Sequence, residues 1–448
     1  MGYARWATQE EVVNRLKAID INDKLNEAGI PIAYDQDKLY IDVNEAHNLI
    51  IGSTGSGKTQ ALILPMLELS MKARESVVIN DPKGDVYKMM AGVLRKNGYK
   101  INVIDYDDAK KGNCWNPLKV PYDLYKNGYN DKAIKCLEDV GYYLFYDIND
   151  KDSDPFWVNS TINYFLGIAL YLFDNAKEDE VNLESVYRFS DYLSKKSNSE
   201  KVFNSLNSEL IRINFSGILD APMETRGSIM SVFNQRIRKY ISRIDLANML
   251  SSNDIDIKNI NKDPTILFII SGTSNYCNNL IPLLVNQIID YALVFDDKKL
   301  SILLDEFDSM VPIRDFSRII EDCRSLRMRI TVTIRSYVHL CNMYSKEEAE
   351  ILKMCFGNLI YLLSDDIYTL EEVSRYCGKE MVDGNLEPLI TVEDLKTMNV
   401  FEGIVIMPRM MPIKTKFLPF YKFNIEMDEY EDIPAREENI VKVYEEKE

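Results

Sequence analysis

The sequence predicts an α/β protein: a mainly parallel sheet between helices, interrupted by an all-helical insertion. Three observations carry this. Short runs rich in Val, Ile and Leu alternate with helical patterns along both ends of the chain, the signature of strands buried on both faces. The strand signal disappears between Asn116-Pro117 and Asp263-Pro264, where helical periodicity replaces it. Residues Gly52 to Thr59 read GSTGSGKT, the eight-position phosphate-binding pattern, entered from an apolar run and followed by a helical one.

Taken in order, the chain opens with a helix over Thr8–Leu16. Thr8 serves as N-cap with Glu11 three residues on, and a hairpin-like piece follows within the first 41 residues. Strands are expected at Asn48–Ile51, Ser76–Asn80, Lys100–Ile104, Thr265–Ile270, Ser301–Leu304, Ile330–Ile334, Asn358–Leu363 and Gly403–Met407. Helices are expected at Thr59–Lys72, Asp85–Lys96 and Phe316–Leu326. The domain division that follows is a nucleotide-binding domain from residues 1–120 and 250–425, an all-α insertion over 121–249, and an acidic tail over 426–448. That tail reads as a solvated segment, with an interaction tail for a basic partner as the alternative.

The chain has 448 residues, 46% of them hydrophobic, which is ample for a packed core. Seven scattered cysteines without a C-x-x-C pair and only two histidines, His47 and His339, point away from a disulfide framework or a zinc site and toward a reducing cytoplasm. A net charge of −17 argues against a whole surface made for nucleic acid, though not against a local basic lining. The apolar stretches Ile162–Phe173 and Ile281–Phe295 read as buried helices, too short or too polar to span a bilayer, and no signal peptide opens the chain.

The chemistry concentrates in two places. In the first, Gly52, Gly55 and Gly57 let the backbone of Ser53, Thr54 and Ser56 wrap phosphate oxygens with N–H groups. Lys58 supplies a point charge and Thr59 a hydroxyl for magnesium. In the second, Ser301–Leu304 forms a buried strand whose end delivers Asp305 toward magnesium and Glu306 toward an attacking water. Asp81 and Lys83 follow another strand, where the ligand crevice of a parallel sheet lies, so Asp81 is a further candidate near the γ-phosphate.

GSTGSGKT, VVINDPKGDVY (Val77–Tyr87), NCWNPL (Asn113–Leu118), DPFWVNSTINYFLGIALYLF (Asp154–Phe173) and LLDEFDSM (Leu303–Met310) together resemble the coupling proteins of conjugation and type IV secretion. The opening GYARWAT (Gly2–Thr8) resembles the segment those proteins carry after their membrane anchor. The resemblance implies a RecA/FtsK-like P-loop ATPase with an inserted all-α domain that assembles as a homo-hexamer. Such a motor uses ATP and Mg2+ and passes single-stranded DNA with its relaxase to a type IV secretion channel and its ATPases at the cytoplasmic face of the membrane.

Carried over by position, Lys58 and Thr59 bind phosphate and magnesium, Asp305 holds magnesium, and Glu306 orients the water. Arg324, with Arg327 and Arg329 near it, matches the family's trans-acting arginine. Three features depart from the pattern. The membrane anchor that most members carry before the GYARWAT segment is missing, either through truncation or as a naturally soluble form; no arginine lies between Arg15 and Arg74; and Arg335 stands where the family has a γ-phosphate-sensing glutamine. Arg335 is therefore expected either to touch phosphate or to pair with a carboxylate.

A basic run, Arg226, Arg236, Arg238, Lys239 and Arg243, lies in a helical stretch. It fits a DNA backbone, a neighbouring acidic subunit or a plain amphipathic surface. Tyr142, Tyr143, Phe156 and Trp157 read as core rather than as base-stacking platforms. The competing functional reading is an ATP-binding receptor for secretion substrates with little motor activity, and a third is an FtsK/HerA-like DNA translocase.

Overall fold

A computed structural model describes residues 3–35, 37–147, 154–219, 221–272, 277–295, 299–423, 425–427 and 430–446. Gly2 of the opening motif and residues 428–429 and 447–448 of the tail lie outside that set. The chain divides into two compact units. One comprises residues 1–102, 258–270 and 295–432, and the other 103–257, 271–294 and 433–448. The helical unit thus begins earlier than expected from sequence. It also takes in residues 280–294 of the helix Leu280–Phe295 and the end of the tail from residue 433.

The first unit holds a three-stranded antiparallel sheet near its start, β1 (Lys17–Ile19), β3 (Lys38–Asp42) and β2 (Ile30–Asp35), in that spatial order. The capping box of the preceding helix, Gln9–Arg15, is formed: Thr8 Oγ1 accepts from Glu11 N and the Glu11 carboxylate from Thr8 N.

The main sheet runs β14 (Ile413–Lys416), β13 (Glu402–Ile406), β10 (Asn358–Leu363), β4 (Asn48–Gly52), β9 (Met328–Ile334), β8 (Leu300–Leu304), β5 (Ser76–Asn80), β7 (Thr265–Ile270) and β6 (Lys100–Asp105). From β10 through β7 every neighbouring pair is parallel, while β13 and β14 add antiparallel strands beside β10. Every residue of β4, β5, β7, β8 and β9 is buried, which explains their unbroken apolar runs. The third small hairpin, β11 (Lys379–Val382) with β12 (Asn385–Pro388), is mostly exposed and has no sequence signal beyond its Asp-Gly turn.

His47, fully buried, ties the start of β4 to its surroundings. Its Nε2 donates to Ile320 O at 2.8 Å, and its Nδ1 accepts from Ile330 N at 3.0 Å. Only the neutral ring with the proton on Nε2 satisfies both bonds. Beside it Asn48 bonds Thr331 Oγ1, and Asn358 bonds both Asn48 and Asp42, a closed polar network at the entry of three strands.

In the second unit, the described elements between Lys119 and Met249 are all helical. Its longest helix, Pro155–Asn175, exceeds the apolar segment expected from sequence and by length and composition alone could cross a bilayer. Here it is a core helix: Tyr164 meets Phe233 at 5.1 Å, Phe165 meets Phe145 at 5.7 Å, and Tyr171 stacks on Phe189 at 4.5 Å. Gly167 permits this packing, since a Cβ there would lie 2.9 Å from the Phe215 ring. Asn113–Leu118 is structural in the same unit: Trp115 N donates to Met249 O, and Asn116 Nδ2 donates to Val181 O at 2.6 Å.

The end of the chain is solvated, with no buried residue among those described over 425–446, but it is anchored at a few points. Tyr444 packs edge-on against Tyr171 and Phe189, its N donates to Ser185 Oγ, and Asn182 Nδ2 reaches Lys442 O at 2.7 Å. The acidic composition conceals a few anchoring residues.

Candidate functional site

Parallel strands deliver their C-terminal ends to one edge of the sheet, and the expected site residues gather there. Leaving β4, the chain turns through Gly52–Thr59. Gly55 and Gly57 adopt φ of 82° and 86°, a region that favours glycine. Ser56 Oγ is buried without a protein hydrogen-bond partner, and Lys58 Nζ donates to the carbonyls of Gly52 and Ser53. Thr59 opens a π-helical turn, Thr59–Ile63, that continues as the helix Leu64–Ala73, so the expected single helix starts more widely wound.

Two strands away in the sheet, β8 ends at Leu304 and presents Asp305 and Glu306. Between them, β9 supplies Thr333, whose hydroxyl donates to Asp305 Oδ1 at 2.6 Å and accepts from Glu306 N at 3.0 Å. On the other side, Asn80 Nδ2 at the end of β5 donates to Asp305 O at 2.7 Å. One hydroxyl and one amide thus fix the backbone and carboxylate of Asp305. Neither residue stood out in the sequence, because Thr and Asn at strand ends carry no motif. Glu306 takes a left-handed conformation, φ 50°, which turns its carboxylate out of the strand direction to within 4.0 Å of Lys83 Nζ.

Asp81 is placed differently from its expected role. Its carboxylate accepts from Tyr87 N at 2.8 Å and caps the helix Asp85–Lys96. Burial pushes its pKa up to about 6 against the opposing backbone bonds of Tyr87 and Val86, and the nearby Asp305 charge adds to the rise. It stands close to the carboxylates of the site but points its oxygens into a helix terminus.

Arg335, directly after β9, pairs with a carboxylate. Its Nε meets Asp308 Oδ2 at 2.7 Å and its backbone N approaches the same oxygen, while the Asp308 side chain is fully buried and its Oδ1 has no hydrogen-bond partner. The 3-10 turn Phe307–Ser309 brings Asp308 back to this position. Lys58 lies in the same field. Burial lowers its pKa, Asp305, Asp308 and Glu306 oppose the fall, and Arg335 adds to it. Three carboxylates and the cations Lys58, Lys83 and Arg335 therefore share one cluster.

The donor set suits a nucleotide with magnesium. The glycine loop and Lys58 offer hydrogen-bond donors suited to phosphate, while the Thr59 hydroxyl and the fixed Asp305 carboxylate offer oxygens that would hold magnesium only together with phosphate oxygens and waters. In keeping with that, no group of three or more His, Cys, Asp or Glu among the described residues could hold a metal alone.

Arg324 ends the helix Phe316–Arg324, before β9 begins, and is exposed. It stands at the entry edge of the sheet, a strand length of roughly 20 Å from the exit edge. Arg329 is buried and donates to Ala28 O, and Arg327 pairs with Glu45, so neither is a free charge. In the basic run, Arg236 is mostly buried and donates to Phe145 O, Arg226 to Leu193 O, and Arg238 lies over Tyr187. Tyr143 is core, whereas Phe156 is half exposed beside Trp157.

The sequence matches the family of type IV secretory system conjugative DNA transfer over residues 4–386. The chain belongs to that family. Among solved structures, the unbound monoclinic form of the bacterial conjugative coupling protein TrwBdeltaN70 aligns with TM-score 0.71 at 14% identity, covering 98% of this chain and 97% of that one. TrwB in complex with ADP and Mg2+ aligns with TM-score 0.69 at 14% identity over 98% and 96%. VirB4 of Thermoanaerobacter pseudethanolicus aligns with TM-score 0.56 at 15% identity over 89% and 98%. No curated protein matches the sequence. At such identities the likeness establishes the fold, and the expected P-loop α/β core with an all-α domain is the fold of this conjugative transfer protein.

Two predictions follow from the site's electrostatics. Burial first, and then the charges of Arg324 and Arg329, lower the His47 pKa to about 4, against the opposing bond to Ile320 O. Its stabilising contribution is complete above 6.5 and is lost as pH falls toward 4. Asp81 acts in the opposite sense: its contribution is present below 3.8 and is lost as pH rises through about 6. Each amounts to roughly 3 kcal/mol, at 1.36 kcal/mol per tenfold change in proton affinity. The two nearly cancel, so Asp81→Asn, which keeps the cap, should expose a rise in unfolding free energy of about 3 kcal/mol between pH 4 and 6.5 in denaturant titrations. The second concerns the clasp. Arg335→Gln should cost about 1–3 kcal/mol by leaving Asp308 buried and unpaired, and adding Asp308→Asn should restore most of it.

Proposed function

We propose that this chain is the ATP-hydrolysing motor of a conjugative transfer system, recruiting a relaxase with its DNA and driving the single strand toward a type IV secretion channel. The supporting observation is the convergence at one sheet edge of the phosphate loop of β4 with Asp305 and Glu306 of β8, in a chain of the conjugative DNA-transfer family. TrwB, which shares the fold, is known in complex with ADPNP and with ADP and Mg2+.

In this reading the loop N–H groups and Lys58 hold the β- and γ-phosphates, and Thr59 and Asp305 hold magnesium, which neutralises phosphate charge. Glu306 leaves Lys83 to orient water toward the γ-phosphate. Arg335 leaves Asp308 for the γ-phosphate, reporting whether it is present.

Arg324 serves a neighbouring copy. From the entry edge it cannot reach its own phosphate loop, so it completes a site only across an interface between subunits, as in a homo-hexameric ring. The ring works at the cytoplasmic face of the membrane, with the helical unit recruiting substrate. The charges of Arg236 serve that unit's interior, so contact with DNA falls to other groups.

ATP turnover measured across protein concentration, with and without single-stranded DNA, tests the reading. Turnover should rise with both and vanish in Lys58→Ala. Nucleotide binding without turnover under every condition would instead indicate a receptor, with the Lys83–Glu306 and Arg335–Asp308 pairs locking the site. Mixing Arg324→Ala with Lys58→Ala should recover part of the turnover each lacks alone, since a mixed ring contains junctions with an intact loop facing an intact Arg324.

A further inference from the structure

The phosphate loop is bordered by an aromatic shelf built from the far end of the chain. Phe401 lies against Gly57: a Cβ at that glycine would sit 2.9 Å from Phe401 Cε1 and 3.4 Å from Val400 Cγ1. Tyr421 meets Phe401 edge to face, with ring centroids 6.1 Å apart. Tyr421 belongs to the 3-10 turn Phe420–Lys422, which lies against Thr59–Ile63, so the shelf follows the loop from Gly57 into the turn behind it.

Two properties distinguish this shelf from ordinary packing. Phe401 holds φ 68°, a conformation costly for a bulky residue. The backbone there is pinned, because Phe401 O accepts from Phe417 N at 2.7 Å and Glu402 N bonds Asn399 O. In addition, the apolar groups beside the loop are not covered. Tyr421 is 66% exposed and Val400 56%, although the next residues inward, Phe420 and Phe423, are buried.

We infer that Tyr421, supported by Phe401 and Val400, is the platform on which the base of the bound nucleotide stacks. The inference rests on the nucleotide reading of the loop. Phosphates held between Gly52 and Thr59 leave the sugar and base to extend past the loop, and the shelf is an exposed aromatic surface adjoining it. Nearby polar side chains face one another: Asn399 Nδ2 donates to Glu402, whose carboxylate pairs with Lys416 at 3.4 Å. The platform therefore reads the face of a ring and not its edge. It holds adenine and guanine alike and pyrimidines more weakly.

Calorimetric titration of the full chain with non-hydrolysable ATP, GTP and CTP analogues and with inorganic tripolyphosphate, each with magnesium, tests this in wild type, Tyr421→Ala and Tyr421→Phe. Tyr421→Ala should weaken both purine analogues about 5- to 20-fold, in the range of a lost base–aromatic stack. It should weaken the CTP analogue less and leave tripolyphosphate unchanged, and Tyr421→Phe should bind like wild type. Unchanged purine affinity in Tyr421→Ala, or an equal loss for tripolyphosphate, overturns the platform alone. A wild-type chain that binds neither tripolyphosphate nor any nucleotide overturns the nucleotide reading and the platform with it.

Discussion

The parallel run from β10 to β7 is the constraint on which the rest depends. Antiparallel neighbours would scatter the strand ends over two edges. Parallel ones send the ends of β4, β9, β8 and β5 to the same edge, so a phosphate loop, Arg335, Asp305–Glu306 and Asp81–Lys83 become neighbours although more than 280 residues separate the first from the last. A parallel sheet must be covered on both faces, and the fully buried strands with their covering helices meet that requirement. Each strand can then end in polar or charged groups, since its interior carries the burial.

The site is organised around holding like charges together. Asp305, Glu306 and Asp308 lie within four residues, with Lys58, Lys83 and Arg335 set among them. The protein holds one of these carboxylates with neutral hydrogen bonds and the other two with ion pairs. Thr333 and Asn80 fix Asp305 by neutral donors that carry no charge to lose. Lys83 and Arg335 hold Glu306 and Asp308 by contacts in which the cation is partly exposed.

Much of this was legible in the sequence, and the part that was not has a common cause. Eight strands, the loop and the Asp305–Glu306 pair are local: each is a run or a motif whose meaning is contained in a few adjacent residues. Their ends agree with the structure to within about two residues at each end, the ordinary scatter of element boundaries. What escaped is made by side chains meeting from distant segments. Thr333 was an unremarkable member of a strand. Asp308 was one more acid after the motif. Tyr444 was hidden in an acidic stretch whose composition suggests solvation, yet its ring packs against Tyr171 and Phe189. Asp81 had the right position and the wrong direction, because the sequence shows that a carboxylate follows β5 but not that Tyr87 N competes for it.

The same geometry bears on why such a chain would work as an assembly. A parallel sheet has a chemically rich exit edge and an entry edge that carries only connections and structural contacts. Here the entry edge holds the buried His47 network and, beside it, Arg324, whose guanidinium lies 3.6 Å from where a Cβ at Gly357 would be. His47 bonds the carbonyl of Ile320 one turn before Arg324, so the helix that ends in this arginine is tied to the first residues of the phosphate-loop strand. In the proposed assembly, displacement of that helix by a neighbouring copy would act on β4 from one end, while Lys58 and Arg335 would meet phosphate at the other. One strand five residues long thus connects the edge where a neighbour would engage to the edge where a nucleotide would bind, and it has buried packing on both sides along its whole length. A close-packed strand of this kind transmits a shift because it cannot absorb one.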